Sequence, residues 1–230
     1  MSEPRARTPR DYRAEIVGSL TPVRPLPAPA RRVWILVPIG ILLAVTAPFL
    51  STRGDLTDYA PLLTWGLTAV QSFIGLWLLA LGFREAVPGC NVSTFALSSA
   101  LGLSAFIVIA VTLATNAVSA TVVPDGVGLQ FWFECVIWPF MLGAPFMMAA
   151  TLMAARAFPT RPAITGALCG LSAGLLSDAG WRLSCWISEP AHVLGSHGLA
   201  IVALTAAGAL VAVCADLPRW RRLRHRSRAT

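Results

Sequence analysis

Two cysteines and two histidines stand out as residues whose types could bind a soft metal ion or form a disulfide. Cys135 lies at the start of one apolar stretch, and Cys185, His192 and His197 follow in the segment CWISEPAHVLGSH before another. Two thiols in an oxidising compartment form a disulfide when their Cα atoms come within about 4.4–6.8 Å. Two thiols with two imidazoles form a nitrogen and sulfur ligand set suited to zinc or copper(I).

The spacing of these residues leaves three interpretations open. The register Cys-x6-His-x4-His is not that of a standard zinc finger, so the metal interpretation does not follow from spacing alone. The cysteines could form a constitutive disulfide that staples helix ends, could sense a redox or metal signal, or could lack any direct interaction. Glu134 and Glu189 flank the two cysteines and are candidate auxiliary ligands. No obligatory cofactor is expected beyond a regulatory metal ion, such as zinc, or a disulfide.

The chain around these residues is too apolar for a soluble domain. Of its 230 residues, 56 % are hydrophobic and 13 % are charged, whereas a soluble domain carries about 25 % charged residues. A membrane-spanning helix needs about 20 mostly apolar residues. Six such stretches are predicted, at residues 33–50, 61–83, 94–114, 135–155, 163–180 and 199–217. The sequence therefore predicts an all-α, polytopic integral membrane protein with six transmembrane helices.

The distribution of arginine predicts the orientation of this bundle. All 18 basic residues are arginine, and 16 of them lie in the two terminal segments and in the loops after the second and fourth stretches. Only Arg53 and Arg182 lie in the loops on the other side. By the positive-inside rule, both termini are cytoplasmic. The predicted organisation is a cytoplasmic arm (1–32), a six-helix transmembrane domain (33–217) and an Arg-rich cytoplasmic tail (218–230).

The net charge of +7 would also suit a nucleic-acid-binding protein. The arginines of the C-terminal tail could contact phosphates, but no helix-turn-helix, zinc-finger or RNA-binding signature accompanies them. Contact with anionic membrane lipids explains the same charges. We therefore expect no direct binding of nucleic acid.

Three glycines at four-residue spacing predict a close helix packing. Gly166, Gly170 and Gly174 lie on one face of the fifth stretch, and such small residues let helix backbones approach in lipid. The face is interpreted as the packed side of a central helix, with a hinge or a dimer seam as the alternative; no oligomeric state is favoured. A short turn joins the fourth and fifth stretches, so these should be antiparallel neighbours with their outer ends side by side, and Cys135 and Cys185 could approach each other there.

The N-terminal arm combines a short amphipathic pattern with a stiff spacer. Tyr12, Ile16 and Leu20 recur at i, i+4 and i+8, which predicts one apolar stripe of a helix. The following TPVRPLPAP segment is rich in proline and predicts an extended spacer. The stripe could bind in the groove of a partner protein or lie on the membrane surface.

Three short motifs carry a resemblance to a known family. LTPVRPLPAPARR before the first stretch, VPG after the second and CWISEPAHVLGSH before the last occur in this order. Over residues 12–217 the chain resembles the NrsF-type negative regulators of sigma factor, a proteobacterial inner-membrane family long classed as a domain of unknown function.

The resemblance implies a multi-pass anti-sigma factor of the bacterial inner membrane, and not an enzyme. Such a protein sequesters a sigma factor of the extracytoplasmic-function class and releases it under heavy-metal or oxidative stress. The family's paired periplasmic cysteines would correspond to Cys135 and Cys185, and the arm would contact the sigma factor. One rival, a membrane thiol–disulfide oxidoreductase, is disfavoured because no Cys-x-x-Cys motif is present. A small transporter or metal exporter is disfavoured because the middle of each stretch lacks ionisable side chains.

Overall fold

The fold is a bundle of long helices, seen in a computed structural model that describes residues 13, 17–18, 26–50, 53, 61–118 and 128–227. The first five helices are α1 (Pro29–Leu50), α2 (Pro61–Glu85), α3 (Thr94–Val118), α4 (Gly128–Ala155) and α5 (Pro162–Trp181). The last helical segment, 190–227, is called α6. It consists of an α-helical turn (Pro190–His192), a π-helical turn (Val193–His197) and a long α-helix (Gly198–Ser227). The described residues contain no β-strand.

Six helical segments are long and apolar enough to cross a membrane, which confirms the predicted number. They comprise Pro29–Ala47, Trp65–Glu85, Thr94–Val118, Gln130–Ala155, Pro162–Trp181 and Pro190–Asp216. The helices extend beyond the predicted apolar stretches because a helix can continue after its hydropathy falls.

Two of these extensions concern the predicted site residues. α4 begins at Gly128, so Cys135 lies inside the helix and not at its start. Helical structure resumes at Pro190 and not at residue 199, because proline suits the first helical position, where an N–H would be unpaired. His192 and His197 therefore lie on helical backbone in a region that the sequence predicted to be a loop.

α5 is the central helix of the bundle. In its apolar window 83 % of the residues are buried, against 28–39 % in the other five spans. It packs along its length against α6 and also contacts α1, α2 and α4. Its composition of glycine, alanine and serine suits this position, because small side chains allow several helices to approach one helix closely.

The glycines of α5 lie where its backbone meets that of α6. A Cβ atom added to Gly166 would overlap the carbonyl oxygen of Gly208, and one added to Gly170 would overlap that of Leu204. At Gly174 an added Cβ would lie 3.0 Å from the Cα of Ile201. All three glycines thus line the same α5–α6 contact.

Gly170→Ala should therefore destabilise the bundle, because α5 and α6 must separate to admit the methyl group. The expected loss in the free energy of unfolding is about 1–3 kcal/mol, measured by thermal unfolding in detergent. Gly102→Ala is the matched control, because Gly102 has nothing within 4 Å of its added Cβ. Equal melting temperatures for the two variants would contradict this account of the contact.

A partly buried ion pair connects elements at the opposite end of the bundle from the cysteines. The Arg161 guanidinium donates to the fully buried carboxylate of Glu85, with Nε–Oε1 and Nη2–Oε2 distances of 2.6 and 2.7 Å. Glu85 also accepts the backbone N–H of Val92 at 2.6 Å, and Arg161 donates to the Val92 carbonyl at 2.8 Å. The pair thus fixes the loop between α2 and α3 to the start of α5.

Candidate metal and thiol site

Four of the residues singled out by the sequence converge in one buried cluster. Cys135 comes from α4, Cys185 from the loop between α5 and α6, and His192 and His197 from the first two turns of α6. All four are buried, and one ligand atom of each lies within 4.8 Å of every other. This set is hereafter called the Cys2His2 cluster.

The two thiols of the cluster are close but not bonded. The Sγ atoms of Cys135 and Cys185 lie 3.6 Å apart, and both cysteines are free. The hydrogen bond with Cys135 lowers the pKa of the Cys185 thiol; burial opposes this shift, and His192 and His197 favour it. The hydrogen bond between the two sulfurs therefore favours ionisation of one thiol of the pair while the other keeps its proton.

The two histidines are brought together by the π-helical turn of α6. A π turn closes hydrogen bonds from residue i to i+5, so His192 and His197 come one turn apart, with ring centroids separated by 6.1 Å. The Nδ1 atom of His197 lies 2.7 Å from Oδ1 of Asp178. The Nε2 atoms of both rings are buried and have no hydrogen-bond partner among the residues that the structure describes.

Asp178 is the centre of a polar network behind the histidines. Its Oδ2 accepts hydrogen bonds from Arg182 Nε at 2.6 Å and from Gln71 Nε2 at 2.7 Å. Arg182 Nη1 also donates to the Thr112 hydroxyl oxygen at 2.7 Å. Through these contacts α2, α3 and α5 are joined to His197 on α6.

The loop that carries Cys185 is held by Arg53, which is distant in the sequence and lies between α1 and α2. Arg53 Nη1 donates to the Cys185 carbonyl oxygen at 2.8 Å and to the Ser188 hydroxyl at 2.9 Å. The backbone N–H of Arg53 donates to the Leu183 carbonyl at 3.0 Å. The position of Cys185 is thus fixed from outside its own loop.

Aromatic side chains cover the cluster. Trp138 stacks on Trp181 with ring centroids 6.0 Å apart, and Phe131 meets Trp186 edge-on at 5.5 Å. Phe131 and Trp181 also pack directly against the buried cysteines. These aromatic side chains surround the thiols with apolar surface. Small molecules are therefore better suited than proteins to react with the thiols.

The two predicted auxiliary ligands, Glu134 and Glu189, do not join the cluster. Among the described residues, Glu134 is instead within 3.4 Å of the Gln130 amide, and the backbone carbonyl of Glu189 accepts the N–H of Val193. Neither carboxylate belongs to the group of four. The stripe of the N-terminal arm, formed by Tyr12, Ile16 and Leu20, lies outside the described residues.

Sequence reasoning missed the residues that support the cluster. From the sequence, Arg182 contributes only to the predicted topology, and neither Asp178 nor Gln71 is predicted to be a site residue. A signal was present in the i, i+4 spacing of Asp178 and Arg182 at the end of an apolar helix, because such a pair can form a salt bridge on one helix face.

The comparison with known families agrees with the motifs. A family model described as NrsF, negative regulator of sigma F, matches residues 16–220. The chain belongs to the NrsF family. The match confirms the resemblance, and the family name implies negative regulation of a sigma factor. The matched region of this NrsF-family chain includes α1 to α5 and all four residues of the Cys2His2 cluster. No curated protein and no solved structure matches the chain.

Proposed function

We propose that this NrsF-family chain is a membrane anti-sigma factor whose cysteine pair senses stress from the periplasmic side. It sequesters a sigma factor of the extracytoplasmic-function class at the bacterial inner membrane and releases it when the thiols of Cys135 and Cys185 are modified. The observation that carries the sensing proposal is the separation of 3.6 Å between two free thiols on different elements of the bundle.

The orientation of the bundle supports a periplasmic position for this pair. The cluster lies at the end of the helices that bears Arg53 and Arg182, the two arginines on the arginine-poor side. The positive-inside rule assigns that side to the periplasm and the arm and tail to the cytoplasm. Disulfides form and persist in the periplasm, so a thiol pair there can respond to oxidants.

Oxidation of the two thiols would change the distance between α4 and the loop that leads into α6. A two-electron oxidant such as a peroxide accepts two electrons and two protons from the thiols, and one S–S bond forms. The sulfur atoms, now 3.6 Å apart, would have to approach to about 2.05 Å. Cys135 on α4 and the loop that leads into α6 would therefore shift toward each other.

The α5–α6 contact offers a route from this end of the bundle to the cytoplasmic end. α6 starts at the cluster and then meets the α5 backbone at Ile201, Leu204 and Gly208 in turn. Because these contacts leave no space, a displacement at the start of α6 has to be accommodated along the helix. A change of about 1.4 kcal/mol in the free energy of binding suffices to weaken the affinity for the sigma factor tenfold.

The burial of the thiols argues against the rival oxidoreductase function. Cys135 and Cys185 are only 3 % and 6 % exposed, whereas an enzyme that exchanges disulfides with proteins needs a thiolate that its substrate can reach. A small diffusible oxidant or a metal ion has no such requirement. The geometry therefore suits a sensor better than a catalyst.

The arm provides the test of sigma-factor capture. Membranes that contain the intact chain should retain a co-expressed cognate sigma factor, and deletion of residues 1–30 should lower the retained amount at least tenfold. Ile16→Asp should act like the deletion, because it places a charge on the apolar stripe. Ala14→Asp is the matched control, because the sequence predicts Ala14 on the opposite face of that helix, and it should retain the sigma factor. Failure of the intact chain to retain any sigma factor would overturn the proposed function.

A further inference from the structure

We propose that the Cys2His2 cluster binds one Zn²⁺ ion through both cysteine sulfurs and the Nε2 atoms of both histidines. This deepens the proposed function by naming a metal ligand for the sensing site. The regulatory meaning of the ion rests on the proposed function, whereas the binding itself does not. The ion would have four protein ligands and no open position, which is the arrangement of structural zinc sites and not of catalytic ones.

The distances in the cluster suit tetrahedral coordination. With Zn–S bonds of about 2.3 Å, the two sulfurs of a tetrahedral site lie about 3.8 Å apart. Cys135 and Cys185 have their sulfurs 3.6 Å apart. All four ligand atoms lie within 4.8 Å of one another, so the longest separation has to shorten by little more than about 1 Å to reach tetrahedral spacing.

The unpartnered nitrogens of the histidines are a second, independent indication of a ligand. His192 and His197 are 4 % and 0 % exposed, and within the described part of the chain their Nε2 atoms have no hydrogen-bond partner. Buried polar atoms in native proteins are rarely left unsatisfied, and an unpaired one points to an unseen water or ion. A single ion bound by both nitrogens would satisfy them together.

Asp178 supplies the outer support that histidine ligands of zinc commonly have. Its carboxylate lies 2.7 Å from Nδ1 of His197, so Nδ1 carries the proton and Nε2 is free to bind a metal. A carboxylate behind a metal-binding histidine fixes the orientation and protonation of the ring. Arg182 and Gln71 in turn fix the carboxylate.

The charges of the proposed centre balance in its buried position. Zn²⁺ binds the two cysteines as thiolates, so two protons are released, and the two imidazoles stay neutral. The resulting centre has no net charge, and the adjacent Asp178–Arg182 pair has none either. Ionised groups near the membrane are costly unless paired, so this neutral arrangement is one that the site can hold.

Metal binding and disulfide formation would be mutually exclusive, because both use the same two sulfurs. Oxidation of the two zinc-bound thiolates by a peroxide would form the disulfide and release the ion, and a disulfide offers no thiolate to a metal. The site would therefore respond to the amount of soft metal and to oxidants through one pair of atoms. Cd²⁺, which also prefers thiolate ligands, would compete for it.

Cobalt titration of the full-length protein tests the site directly. Reduced, metal-free protein in detergent should bind one Co²⁺ per chain, with thiolate-to-cobalt charge-transfer absorption and the strong visible bands of tetrahedral cobalt. One equivalent of Zn²⁺ should abolish both. Cys135→Ser/Cys185→Ser should lose the charge-transfer absorption, and His192→Gln or His197→Gln should weaken Co²⁺ binding at least tenfold.

The matched control is Cys90→Ser/Cys214→Ser, which changes two exposed free cysteines outside the cluster and should titrate like the wild type. Binding of no more cobalt by the wild type than by Cys135→Ser/Cys185→Ser would overturn the metal site. Sigma-factor capture by the same preparation separates the two proposals. Capture without cobalt binding rejects only the metal site, and cobalt binding without capture rejects only the proposed function.

Discussion

Cys135→Ser/Cys185→Ser should abolish induction of a sigma-dependent reporter while leaving its repression intact. The two thiols are 3.6 Å apart, and serine is nearly isosteric with cysteine but neither forms a disulfide nor binds soft metals well. The variant should hold the reporter at its uninduced level when peroxide or Cd²⁺ induces the wild type tenfold or more. Reporter activity with and without each stressor measures the effect.

Repression without stress serves as the folding control in this experiment, because an unfolded variant would release the sigma factor and raise the uninduced activity. Each single substitution should abolish induction as completely as the double one, because the responses to peroxide and to Cd²⁺ both need both sulfurs. Cys90→Ser/Cys214→Ser should respond like the wild type, because those thiols are exposed and lie outside the cluster. Normal induction in Cys135→Ser/Cys185→Ser would show that the cysteine pair is not the sensor.

The architecture of six long apolar helices could be predicted from sequence because it depends on local composition. A run of about 20 apolar residues cannot satisfy its backbone hydrogen bonds in lipid except as a helix. The backbone contacts at Gly166 and Gly170 likewise follow a local pattern, since small residues four apart share a helix face. The extension of α6 to Pro190 was missed because polar residues such as Glu189, His192 and His197 resemble a loop in hydropathy.

The site was only partly predictable, because its parts come from separate segments. The ligand types at Cys135, Cys185, His192 and His197 are evident in the sequence, but their spacing matches no known metal motif. What unites them is tertiary: the antiparallel packing of α4 and α5, the π turn of α6, and Arg53, which bonds to the Cys185 carbonyl. Of these three features only the packing of α4 against α5 has a local sequence signature, the short turn that joins the two helices.

Asp178→Asn should destabilise the protein more than any other single polar change near the cluster. Asp178 is fully buried and accepts hydrogen bonds from Arg182 and Gln71. The amide keeps the shape of the side chain but leaves the Arg182 guanidinium, which is 9 % exposed, as an uncompensated buried charge. Breaking such a pair costs about 3–5 kcal/mol, to be measured by thermal unfolding in detergent.

A variant without either charge distinguishes the cost of an unpaired charge from the cost of lost packing. Asp178→Leu/Arg182→Met should recover part of the stability lost in Asp178→Asn, because a buried ion pair replaced by apolar groups leaves no unpaired charge. Glu134→Gln changes a carboxylate that hydrogen-bonds only weakly, at 3.4 Å, and should stay within about 0.5 kcal/mol of the wild type. If Asp178→Asn melted like Glu134→Gln, the network would not be holding the helix ends together.

Where enough folded Asp178→Asn protein remains, its affinity for Co²⁺ should fall about 10–100-fold, because His197 then loses the carboxylate that orients its ring.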